Sequence, residues 1–143
     1  MTAKHKALIK AEHYNEALRY MDNAKKTLKK AGKIDGIFQD KKYVKTACGI
    51  AYNALLLALD GYLGLRGVEI PKGRHKSIEF YKTNISAADR KVTGYLHDAY
   101  EILHLSGYYD GLQTEKTIKL GFELANGIIE TIKPTAADLK NLN

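Results

Sequence analysis

The chain has 143 residues, 45% of them hydrophobic and 27% charged, which suits one globular domain with its own core and excludes disorder throughout. A formal net charge of +7 permits an acidic partner, but the lysines are spread along the chain without an arginine-rich tract, as on an ordinary solvated surface. The single Cys48 can form no internal disulfide, and MTAKHKALIK lacks the apolar stretch of a secretory signal, so a reducing, cytoplasmic location is expected.

A first helix is predicted from about Thr2 to Ala31. Leu8, Ala11, Tyr14, Leu18, Met21 and Leu28 recur at spacings of three and four, as on one buried face. Lys25, Lys26, Lys29 and Lys30 fill its last turns, where positive charge suits the helix dipole, and Gly32 follows as a stop. GKIDGIFQD then reads as a loop, with Asp40 placed to cap the next helix. The absence of β-branched runs argues against a sheet.

The stretch from Tyr43 to Leu65 organises the rest. It is apolar nearly all round and rich in Ala and Gly, which marks a helix surrounded by others. Lys45, Asn53 and Asp60 interrupt it, so a core helix is expected there, not a membrane span. Cys48 lies on its small-residue face, where an inert buried thiol is expected. Pro71 and Gly73 turn the chain. A short third helix is predicted from Arg74 to Asn84, with Ile78, Tyr81 and Ile85 inward.

Ser86 to Asp89 matches a capping box and opens a fourth helix carrying Val92, Tyr95, Leu96, Ala99, Ile102 and Leu103. Asp110 to Gln113 matches a second capping box, before a fifth helix with Ile118, Phe122, Ala125, Ile129 and Ile132. Pro134 ends it. Residues 134–143 read as a tail in which Thr135 and Asp138 cap one last turn. The fold class predicted is all-α: an up-and-down bundle of four long helices and one short one, in a single domain over residues 1–143.

Three segments, AYNALLLALDGYLGLRG, RHKSIEFYK and LHDAYEILHLSGYYDG, carry a family likeness. The Ala-rich second helix, the His opening the third and the Tyr-rich end of the fourth resemble a HEPN domain, over about Ala51 to Gly111. The resemblance implies a helical bundle that pairs into a homodimer along its later helices. Many HEPN proteins are metal-independent RNases with an R-x(4–6)-H motif near the end of the fourth helix. There the Arg holds the scissile phosphate and the His moves protons. Others lack the motif and serve as binding or scaffold modules.

AYEILHLSGYYDG, where that motif should lie, has His104 but no Arg at a matching distance before it. An R-x6-H occurs earlier, from Arg90 to His97. On a regular α-helix Arg90, His97 and His104 share one line, with Glu101 beside it, turned away from the apolar side. A solvated polar face and a phosphate cleft at a two-fold dimer both fit that pattern. Arg74 and His75 form a second basic knot where the third helix should begin, suited to an anion or to capping. Glu101 to His104 is one E-x-x-H, whereas a di-iron bundle site needs two and further inward carboxylates, so neither a metal nor another cofactor is expected. The reading is a non-catalytic HEPN-like module binding a protein or a nucleotide or RNA as a homodimer, with no membrane partner. The alternative is a divergent RNase of the toxin–antitoxin type, with Arg90 and His97 catalytic and His104, Glu101, Arg74 and His75 binding.

Overall fold

The structure is a computed structural model and describes residues 1–72, 77–85 and 89–143. Within them the chain runs α1 (Ala3–Lys29), β1 (Lys33–Ile34), β2 (Ile37–Phe38), α2 (Lys41–Leu65), α3 (Ile78–Asn84) and α4 (Arg90–Ala99). A π-helical segment (Tyr100–Tyr109), α5 (Glu115–Glu130) and α6 (Ala136–Asn141) complete it. The all-α bundle expected from the sequence is therefore present, with two small strands added.

α2 is the axis. Val44, Ala47, Cys48, Ala51, Tyr52, Ala54, Leu55, Ala58, Leu59, Gly61, Tyr62 and Leu63 are all buried, because α1, α5 and the π segment pack around them. Among the described helices α2 alone has the length and composition of a membrane span. Yet 56% of that apolar window is buried within the protein, the situation of a core helix. Asp40 caps it by accepting the Lys42 N–H.

α1 lies antiparallel to α2, on a face other than the one its leucines mark. Its buried residues are Ala7, Ala17, Met21 and Ala24, while Leu8 and Leu18 are 42% and 38% exposed. The helices come close where α2 carries a glycine: a Cβ at Gly61 would stand 2.7 Å from the Cβ of His13. Three of the four buried residues of α1 are alanines, which suit a close helix contact, with Met21 the larger one among them.

The loop before α2 is a β-hairpin in which Lys33 pairs with Phe38 and Ile34 with Ile37. Asp35 and Gly36 both have positive φ, 50° and 76°, the type I′ geometry that an Asp-Gly pair favours. The strands are only two residues each, so the hairpin shows in its Asp-Gly turn and not in a β-branched run. The hairpin is stitched to the chain before α5: the Phe38 N–H donates to the Gln113 carbonyl at 2.8 Å, and the Gln113 side-chain amide donates to the Phe38 carbonyl at 2.7 Å.

Residues 73–76 and 86–88 lie outside the described residues, so the expected turn at Gly73, the start at Arg74 and the Ser86 box are not placed. Among the described residues α3 begins after Ser77, which accepts the Phe80 N–H, and Asp89 caps α4 by accepting from Val92. Asp110 ends the π segment and does not start α5, which follows Thr114. The tail is also more ordered than predicted. Thr135 and Asp138 form a full capping box for α6, and Lys10 donates to Asp138 at 2.9 Å, holding α6 against α1.

Candidate functional site

The chain leaves α-helical geometry at Tyr100 and stays π-helical through Tyr109. π turns are rare, mostly single, and frequent at functional sites; ten residues is a long run. The segment ends with the Asp110 N–H on the Leu105 carbonyl, the Gly111 N–H on Gly107 and the Leu112 N–H on Ser106. The last two bonds each span one residue more than in a Schellman end, as a widened helix requires. Gly111 sits at φ 67°, the left-handed conformation that closes such an end.

α2 offers this segment a floor of small residues. A Cβ at Gly107 would stand 2.4 Å from the Cys48 sulfur, and one at Gly49 would stand 2.9 Å from the Tyr108 ring. Only glycine allows either approach. Burial pushes the Cys48 thiol up to about 12, the inert state its position in the sequence suggested.

The π geometry changes which residues share a face. An i→i+5 helix turns by roughly 80° per residue instead of 100°, so His104 falls about a quarter-turn short of its α-helical position. It joins an aromatic cluster. Its ring lies 4.7 Å from Tyr52, 5.2 Å from Tyr100, 5.9 Å from Tyr108 and 5.0 Å from Tyr109, centroid to centroid. Tyr108 and Tyr109 are 44% and 60% exposed, so the cluster runs from buried Tyr52 to the surface. Burial, with Tyr100 nearby, raises the Tyr52 phenol well above its ordinary value. One lysine adjoins the cluster: the Lys82 ammonium is 6.0 Å from the Tyr100 ring, while the Lys41 stem lies across Gly111, past the end of the segment.

The single line predicted for Arg90, His97, Glu101 and His104 is thus divided. Arg90, His97 and Glu101 are exposed, while His104 is half-buried among tyrosines. Arg90 follows the α4 cap and His97 lies seven residues on, roughly 10 Å along the axis, both exposed. Arg74 and His75 lie outside the described residues. In the sequence Tyr108 and Tyr109 close the fourth helix in a turn that suits stacking on a base or, more commonly, packing of the bundle end. Tyr52 and Tyr100 do not show there as their partners, because a 3.6-residue period does not place them together.

Tyr62, Tyr81 and Tyr95 stand at sequence positions that suit core edges with hydroxyls reaching out, but two of these hydroxyls are tied internally. Tyr81 donates to Asp60 at 2.9 Å, and Tyr62 donates to Asp89. Tyr95 lies over Gly127, 2.4 Å from where a Cβ would be.

Fold and site together define an all-α bundle with an aromatic, π-helical face. The chain belongs to the family described as a domain of unknown function, DUF5618, whose model matches residues 12–134. It is similar to a solved protein of unknown function from Dyadobacter fermentans, with 38% identity and a TM-score of 0.74 over 92% of this chain and 96% of that one. No curated protein matches the sequence.

Proposed function

We propose that this chain is a non-catalytic, HEPN-like binding module that works as a homodimer in the cytoplasm, and that its π-helical face recognises single-stranded RNA. The observation that carries the reading is the ladder of rings from Tyr52 through His104 to exposed Tyr108 and Tyr109, with the Lys82 ammonium beside Tyr100. Stacked aromatic rings beside cations suit unpaired bases and their phosphates, and every base offers a π-face. The HEPN resemblance supports nucleic acid as the partner class. With His104 drawn among the tyrosines and away from Arg90 and His97, the ring cluster offers a binding face separate from that pair.

The test is titration of a labelled single-stranded RNA at several salt concentrations. Affinity should fall as salt rises, because bound phosphates release counterions. Tyr109→Ala should weaken binding about tenfold or more, the effect of losing roughly 1–3 kcal/mol of stacking. His97→Ala should leave binding unchanged. Salt-independent binding, or RNA cleavage abolished by His97→Ala, would overturn the reading and favour an RNase that uses Arg90 and His97.

A further inference from the structure

A groove of about 460 Å³ lies between the second half of α1 and α5, closed at one end by the β-hairpin. It shares no lining residue with the π segment, and its chemistry differs. Leu28, Phe38 and Phe122 give it an apolar lining, and both phenylalanines are buried. Four lysines and two glutamates edge it. Two of those lysines are already engaged: Lys33 and Lys119 both pair with Glu115. Lys25 and Lys29 line the same groove from α1, exposed, with no carboxylate at ion-pair distance among the described residues. Asn126 lines it from α5 and brings an amide donor.

Lys25 acts on Asp22 at longer range, but the groove edge keeps four lysines against two glutamates. An apolar trough with that surplus of positive charge matches a ligand with a short hydrocarbon tail and one anionic head. Its volume is that of a small-molecule site, whereas a stable protein partner needs a contact much broader than such a cleft. We propose that this groove binds a medium-chain carboxylate, its tail over Leu28, Phe38 and Phe122 and its head between Lys25, Lys29 and Asn126. Glu123 lines the groove too, and its charge biases the head toward the α1 side.

Calorimetric titration of the whole chain with decanoate, below its micelle concentration, and with decanol tests this. Decanoate should bind one per chain and saturate, and decanol should bind about tenfold more weakly. Lys25→Gln with Lys29→Gln should weaken decanoate about tenfold and leave decanol unchanged; both positions are exposed, so the fold is kept. Failure of decanoate to saturate, equal affinity for decanol, or indifference to the lysine changes would each overturn the proposal. Neither RNA affinity nor its dependence on Tyr109 enters these readouts, so the two sites stand or fall separately.

Discussion

Tyr62 joins two helices through one hydroxyl. It donates to Asp89, whose other carboxylate oxygen accepts the Val92 N–H and caps α4. The Arg66 guanidinium lies 3.5 Å from the Tyr62 ring centroid. Burial, reinforced by Asp89, pushes the Tyr62 phenol up to about 12. The bond from Tyr62 in turn holds the Asp89 carboxyl below its usual range. Tyr62→Phe should cost about 1 kcal/mol, the net worth of one hydrogen bond. Asp89→Ala should cost more, about 1–2 kcal/mol, because it removes the cap as well. Urea midpoints decide this; equal, near-zero effects would show that the cap contributes nothing. Cys48 makes a separate residue-scale prediction. With its thiol at about 12, it should hold roughly a thousandfold less thiolate than a free cysteine near neutral pH. Alkylation should therefore be slow in the native protein and fast in urea. Rapid native labelling would contradict the burial of Cys48.

At the scale of elements, the π segment depends on glycine. Gly107→Ala would press a methyl group onto Cys48 and should cost about 1–3 kcal/mol by overpacking. Cys48→Ala should relieve part of that loss, since the sulfur is the nearest atom, and a double-mutant cycle measures the relief. Simple additivity would mean that the two residues do not touch. α6 depends on charge. Lys10, followed by the Thr135 N–H and hydroxyl, lowers the Asp138 carboxyl to about 2, and that side chain is 14% exposed. The folded value lies below the ordinary one, so ionised Asp138 favours the docked helix. This contribution is complete above about pH 4 and is lost as pH falls toward 2. Hydrogen exchange in α6 should accelerate over that window, and Lys10→Gln should reduce the pH dependence. Pairing elements by period alone could reveal α2, α4 and α5, whose apolar residues repeat every three or four positions. It could not reveal the π segment, whose wider turn is set by close packing of Gly107 on Cys48. The hairpin was legible from Asp35-Gly36.

For the whole molecule, the bundle follows from one fact visible in the sequence: the stretch from Tyr43 to Leu65, inside the observed helix Lys41–Leu65, has almost no polar face. Such a helix requires neighbours on several sides, and α1, α5 and the π segment supply them. The face of α1 that would be used was not visible, because alanines spaced for close approach carry a weaker hydropathy signal than Leu8 and Leu18. The candidate site was legible only in part. Its residue types were noted, but their company was not, since a ring cluster spanning α2 and the π segment is a tertiary fact. Pairing of two copies along the later helices, as the HEPN resemblance implies, should appear as a dimer mass in sedimentation. Leu120, 47% exposed on α5, offers an apolar contact there, and Leu120→Lys should shift the equilibrium toward monomer. A monomer at all concentrations would remove the dimer from the account.

The central claim is that recognition lies on the aromatic π face and not along Arg90 and His97. NMR titration of the isotope-labelled protein with a short single-stranded RNA tests it most directly. The account predicts shift changes concentrated at Tyr100, His104, Tyr108 and Tyr109, with Lys41 and Lys82 at the margins and little change at Arg90 and His97. Changes centred on Arg90 and His97, with the tyrosines silent, would contradict it.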